Sequence, residues 1–329
     1  MAISGQVKRN GHQFWRSRKL PTQTLGHTLS ASLSIAGLAL LAGCSVSPMT
    51  EAATITESQC GVLPGFSFVA AGPFQAGSTP EERDYGYQIS AEAIADTPAA
   101  IAQAKQRLVD RQWFAGERSP TEVNLPAFCI STNLVTQADY QQFVEATNHR
   151  VPGISEADYQ AQGFLVHPYE AVRPYLWQAN RPPSDRQQHP VVLVSYADAL
   201  AYAEWRGQQD GVTYRLPTEL EWRKAASGND GRYFPWGNQW QDDATNWGGS
   251  GLNSTSEIAA FPLSRSPDGV EDMAGNVFEF TSTLVDNETR AVMKGCSWDD
   301  LPGFCRAAYR HTRPVESRHI LFGFRLVLE

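Results

Sequence analysis

Apolar and polar positions alternate over residues 66–78, Phe66-Ser-Phe-Val-Ala-Ala-Gly-Pro-Phe-Gln-Ala-Gly-Ser, with a Gly-Pro inside the run. A period of two broken by turn residues predicts two strands joined as a hairpin. The period then lengthens: after Asp96-Thr-Pro, Ile101, Ala104 and Leu108 recur at helical spacing, with Pro98 in the first turn. This helix, near residues 95–115, is expected to be an insertion that covers an edge of the domain. Val123-Asn-Leu-Pro-Ala-Phe-Cys-Ile130 reads as a strand, and Thr136 caps a helix carrying Tyr140, Phe143 and Val144. Residues 148–190 have no clear period but hold Tyr169, Tyr175 and Trp177, which need cover, so an ordered loop is expected. Two capped helices follow, one over 195–205 and one from Thr218-Glu-Leu-Glu221, where Thr and Glu three apart form a capping box. Capping accounts for Glu219 and Glu221 better than acid/base catalysis does. The chain ends on an apolar alternation, Leu321-Phe-Gly-Phe-Arg-Leu-Val-Leu.

Composition narrows the function classes. The 329 residues are 42% hydrophobic and carry a net charge of −8, a balance suited to a folded domain. Five cations, Lys8, Arg9, Arg16, Arg18 and Lys19, precede Cys44 with no acid among them, so cleavage there would take the charge from −8 to −13. A surface that acidic repels phosphate backbones, and no nucleic-acid partner is expected. The basic segment, the apolar run Leu33-Ser-Ile-Ala-Gly-Leu-Ala-Leu-Leu41 and Leu41-Ala-Gly-Cys44 read as an export signal too short to span a bilayer. The tetrapeptide resembles the lipobox of bacterial lipoproteins. It implies a signal peptide over 1–43, acylation at Cys44, a tether over 44–57 and a folded domain over 58–329. The protein would then be anchored on the periplasmic side of the envelope, with Ser45 pointing to the outer membrane. Discounting Cys44, the cysteines Cys60, Cys129, Cys296 and Cys305 allow two disulfides in three pairings. Cys60–Cys129 with Cys296–Cys305 is preferred, and its loops would contribute roughly 4.5 and 3 kcal/mol on the chain-entropy model.

From Tyr233 onward Gly, Asn, Asp and Trp are abundant and regular structure is scarce. A long irregular region needs a brace, and a hard cation held by carbonyl and carboxylate oxygens would supply one. Here the motifs converge. His189-Pro-Val-Val, Tyr214-Arg-Leu-Pro-Thr-Glu-Leu-Glu-Trp222, Phe234-Pro-Trp-Gly237, Asp272-Met-Ala-Gly-Asn-Val-Phe-Glu279, Lys294-Gly-Cys-Ser-Trp298 and Gly323-Phe-Arg325 stand in the order of the formylglycine-generating enzyme, or sulfatase-modifying factor, family. Leu125-Pro-Ala-Phe128 and Val135-Thr-Gln-Ala-Asp-Tyr140 extend the likeness to nearly everything after Cys60. The resemblance implies a single α+β domain of the complex C-type-lectin-like type, with much irregular structure and structural calcium. It carries one calcium site onto Asn246 and the Trp247 carbonyl, and a second onto Glu279 with carbonyls around Gly275 and Val277.

In the family's enzymes, a pair of cysteines after the Gly-Gly-Ser-aromatic element binds Cu(I) and helps oxidise a substrate cysteine to formylglycine. This chain departs from that pattern, with Asp300 at the first cysteine position and Cys305 at the second, while Cys296 replaces a family glycine. Two functions compete. In one, Cys296 and Cys305 form an altered copper site of an oxygen-dependent oxidase of formylglycine-generating or siderophore-maturation type. In the other, preferred here, they are a disulfide in a binding or accessory lipoprotein. Its ligand surface would comprise Trp298, Asp299, Asp300, Phe304, Tyr309, Arg310, His311 and Arg313, facing an exported protein, peptide or small molecule. His319 belongs to the same stretch, and both it and His311 have a structural reading as well. No His-Glu-x-x-His, phosphate loop or Gly-x-Ser-x-Gly elbow is present.

Overall fold

The computed structural model describes residues 55–163 and 167–329. The signal peptide, Cys44 and most of the tether lie outside the described residues. In chain order the elements are α1 (Glu57–Val62), β1 (Phe66–Val69), β2 (Gly72–Ala76), α2 (Pro80–Glu92), α3 (Pro98–Asp110), β3 (Thr121–Leu125), β4 (Phe128–Ser131), α4 (Gln137–Thr147) and α5 (Glu156–Ala161). They continue with α6 (Tyr196–Asp210), β5 (Tyr214–Arg215), α7 (Glu219–Ser227), β6 (Phe278–Val285), β7 (Arg290–Lys294), β8 (His311–Pro314), β9 (Phe322–Gly323) and β10 (Val327–Leu328).

Both early strands form as their alternation predicts, but they do not pair with each other. β1 runs antiparallel to β4, and β2 runs antiparallel to β3. The single strand expected over 123–130 is split at Leu125-Pro126, since proline lacks a ladder donor, and its halves enter these two sheets. Helix α3 begins at Pro98 behind a Thr97 cap, as expected. Its partner α2 was not foreseen: Thr79 caps it, Pro80 opens it, and the two helices pack as a pair.

The C-terminal strand β10 sits between β4 and β5 in a sheet of order β1-β4-β10-β5. The chain's end is therefore pinned at the centre of the N-terminal sheet. A second four-stranded sheet has the order β8-β7-β6-β9, with β6 and β9 parallel. After β7 the chain runs through a loop to β8 on the outer side of β7 and then crosses to β9 on the far side of β6, which holds the C-terminal motifs against this sheet. Capping boxes at Thr136, Ser195 and Thr218 start α4, α6 and α7 as the sequence signals require. The rings of Tyr140, Phe143, Tyr202 and Phe324 cluster at centroid distances of 5.2–6.5 Å and tie α4 and α6 to the C-terminal motif.

Candidate functional site

The chain leaves β7 through Gly295, whose φ of 74° places it in the left-handed region where a side chain is strained. It then closes on itself. Cys296 and Cys305 form a disulfide with a Cα–Cα distance of 4.7 Å, and both residues are fully buried. Cys296 Sγ also accepts from the Gly275 N–H at 3.0 Å. The backbone between the cysteines is held by Asp300, whose Oδ2 accepts from the Ser297 N–H at 3.0 Å and from the Ser297 hydroxyl. The Asp300 carbonyl accepts from Gly248 N at 2.9 Å, and Trp298 N donates to the Asn276 carbonyl at 3.0 Å. The loop is thus bonded to the irregular region 245–276 on several sides. Cys60 and Cys129 form a second disulfide, so both expected pairings occur.

Beside this loop lies a cluster of rings and one carboxylate. His167 Nε2 pairs with Asp299 Oδ2 at 3.3 Å, and the His167 ring lies 5.1 Å from Trp298 and 6.2 Å from His319. His319 Nδ1 accepts from Leu321 N at 3.3 Å, which assigns the proton to Nε2. Nε2 then donates to the Tyr159 hydroxyl at 3.1 Å, and that hydroxyl donates to the His167 carbonyl at 3.2 Å. Burial pushes the Tyr159 phenol up to about 12, so it stays a donor. Sequence reading missed His167 and Tyr159 because both fall in the stretch without a period. His319, by contrast, is a bonded structural residue.

The expected ligand surface divides. Phe304 and Tyr309 are buried at 2% and 3% exposure, in edge contact with each other and with Phe114, which places them in the core rather than on a surface. Trp298 is also mostly buried. Asp299, Asp300, Arg310, His311 and Arg313 remain half-buried. Among these, His311 stacks on Phe278 at 4.5 Å and bonds the Tyr309 hydroxyl at 3.2 Å. Arg310 Nε bonds both oxygens of Glu219, at 2.9 and 3.0 Å, and Arg118 joins the same carboxylate at 3.3 Å. Burial opposes ionisation of Glu219, but Lys294, Arg310 and Arg118 outweigh it and leave its pKa lowered.

Behind this surface sits a buried charge cluster that periodicity gives no sign of. Arg306 is fully buried and is gripped by Glu117 at 2.6 and 3.1 Å and by Glu82 at 3.3 Å. Glu82 comes from α2, and Glu117 from the turn after α3. Helix α2 and the turn after α3 therefore supply the counterions for an arginine in the C-terminal segment. Next to them, burial drives the Lys294 ammonium down to about 7.

A family model, the sulfatase-modifying factor enzyme 1-like domain, matches residues 51–329. The chain belongs to the sulfatase-modifying factor family. Inactive C-alpha-formylglycine-generating enzyme 2 of Mus musculus is 31% identical over 220 residues, 56% of this chain and 68% of that protein. Formylglycine-generating enzyme of Mycobacterium tuberculosis is 31% identical over 212 residues, 52% of this chain and 68% of its own length. Among solved structures, PvdO from Pseudomonas aeruginosa superposes with a TM-score of 0.58 at 22% identity, over 80% of this chain and 94% of its own. At that identity the likeness concerns the fold, which is the expected C-type-lectin-like mixture of helix and strand.

Within this sulfatase-modifying factor domain, Asp300 closes the loop by hydrogen bonds to Ser297. The Cys296 and Cys305 sulfurs are bonded to each other, and a disulfide has no thiolate to give Cu(I), so the donor set does not fit copper in this form. The calcium residues separate in a similar way. Both oxygens of Glu279 are taken by Arg325, at 2.6 and 2.9 Å, with both side chains fully buried. The anionic donor expected at the second site is therefore already neutralised by the Gly-Phe-Arg motif. At the first, Asn246 Oδ1 accepts from the Ser250 hydroxyl at 2.9 Å, its one hydrogen bond among the described residues, and the Trp247 carbonyl accepts from Ser250 N at 3.0 Å. These oxygens suit a hard cation. No group of three or more His, Cys, Asp or Glu side chains able to hold a metal ion occurs among the described residues.

Proposed function

We propose that this protein is an exported, lipid-anchored binding or accessory member of the sulfatase-modifying factor family, and that it does not use the thiol pair of the family's enzymes. The observation that carries this reading is the buried Cys296–Cys305 disulfide, held beside an Asp300 already committed to Ser297. Both disulfides favour an oxidising compartment, in keeping with the lipobox at Cys44 and attachment on the periplasmic side of the envelope, at the outer membrane. The family match begins at residue 51, after the proposed signal and the first half of the tether. The ligand is an exported peptide, protein or small molecule, recognised through Asp299, Arg310, His311 and Arg313. A peptide is favoured by β8, which lies at the edge of its sheet and carries His311 and Arg313 beside an outer edge with no strand partner among the described residues. Calcium at Asn246 and the Trp247 carbonyl is a structural brace in this reading.

The test is oxygen uptake by the purified full chain with a cysteine-containing peptide, with and without Cu(I), before and after mild reduction. No turnover in any condition is expected. Copper-dependent turnover that is lost in Cys305→Ser would replace this reading with the oxidase. Replacing Cys44 by Ser should release the protein from the membrane fraction, and retention there would remove the anchor from the proposal.

A further inference from the structure

Arg223, on α7, is 3% exposed, and its Nη2 donates to the Gly77 carbonyl at 3.3 Å. Its Nε and Nη1 are buried and have no hydrogen-bond acceptor among the described residues. Two orphaned nitrogens on one buried guanidinium, with three N–H bonds between them, are costly and call for an acceptor. Arg223 lines a cavity of about 10 Å³ together with Gly77, Arg118, Glu219 and Lys294. Lys294, 1% exposed, donates to the Tyr309 carbonyl at 2.5 Å, its one hydrogen bond to an acceptor among the described residues. In its ammonium form, which a neighbouring anion favours, Lys294 has three donors and no acceptor, so this wall of the cavity is also donor-rich.

We propose that this cavity binds one monoatomic anion, a halide such as chloride. Charge supports an anion. Arg118, Arg223, Lys294, Arg306 and Arg310 gather around three carboxylates, Glu82, Glu117 and Glu219. The one carboxylate lining the cavity, Glu219, is engaged by Arg310 and Arg118, while Glu82 and Glu117 are engaged by Arg306. That leaves Arg223 and Lys294 as the cations in this group without a carboxylate bonded to them. Size selects the class of anion. Room for about one water-sized particle excludes phosphate, sulfate and organic acids, and a halide, somewhat larger than water, fits with a small outward shift of the exposed Arg118 side chain. Water itself fits less well, since it accepts about two hydrogen bonds and brings donors of its own into a site built from donors.

The experiment uses the full chain, purified in detergent, with chloride exchanged for gluconate at constant ionic strength. Binding to the folded state should raise Tm by about 5 °C once chloride exceeds its Kd about a hundredfold. Arg223→Met should make Tm independent of chloride. Because that variant removes a buried charge and could fail to fold, crystals of the native chain grown in bromide give a second readout. An anomalous peak within hydrogen-bond reach of Arg223 and Lys294 carries the proposal whatever the variant does. Ordinary water at that position in bromide crystals overturns it.

Discussion

Two regions of the C-terminal segment lie within a few residues of each other and solve opposite problems. Residues 296–305 form a closed loop in which the sulfurs pair, Asp300 accepts from Ser297, and the backbone is bonded to Gly248 and Asn276. Lys294 and Arg306, just outside that loop, are fully buried cations whose partners come from α2, the turn after α3, and α7. The loop is stabilised locally, by a cross-link and short-range bonds. The cluster depends on charges supplied across the fold, and a buried charge is tolerable only while its partners stay. A cross-linked loop thus sits beside a cluster of buried charges, two devices that fail in different ways when a partner is removed.

The largest expected effect comes from breaking the cluster. Arg306→Met strands Glu82 and Glu117 and should cost about 3–5 kcal/mol in urea unfolding. Burial already raises the Glu82 pKa, so part of that loss should return at acid pH as the carboxyl takes up a proton. Replacing Arg306, Glu82 and Glu117 together by apolar residues should restore much of the stability, which a purely local role for Arg306 would not allow. Opening the loop should cost less. Cys296→Ser with Cys305→Ser removes a nine-residue cross-link and should lower stability by about 2–3 kcal/mol, with the fold intact by circular dichroism.

Asp300→Ala should cost about 1–2 kcal/mol, comparable to losing a helix cap, and Asp300→Asn less. The smallest effect is a slope in acid. Glu219 has its folded pKa lowered by Lys294, Arg310 and Arg118 acting against burial. Its contribution is present above the unfolded value near 4.5 and disappears as pH falls through the lower folded value. Glu219→Gln should flatten that part of the stability profile and leave the region above pH 5 parallel to wild type.

Local signals were legible in the sequence because local chemistry writes them. The helix caps at Thr136, Ser195 and Thr218 and the Pro98 helix start needed only spacing and residue type, whereas the cysteines allowed three pairings, of which the preferred one is present. Strand pairing was not legible. The alternation over 66–78 is the same whether β1 and β2 meet each other or, as they do, meet β4 and β3. The ordered motifs indicated the family, but could not say which residues of the C-terminal segment face water. Phe304 and Tyr309 are apolar enough for either role, and the ring of Phe114 from the insertion makes them core. Glu82, Glu117 and Arg223 carried no signal at all, since a charge on a helix or in a turn is ordinarily a solvated one. Glu279 shows the converse, a family residue whose partner here, Arg325, lies in a motif 46 positions away.

The central claim, that this domain holds its cysteines as a brace and not as a copper site, is tested most directly by a disulfide map. Non-reducing peptide mass spectrometry of protein purified from the envelope fraction, with free thiols blocked at lysis, should recover Cys296 and Cys305 in one linked peptide pair and no blocked thiol at either. Blocked thiols at both positions, together with tight Cu(I) binding by the same preparation, would contradict the account.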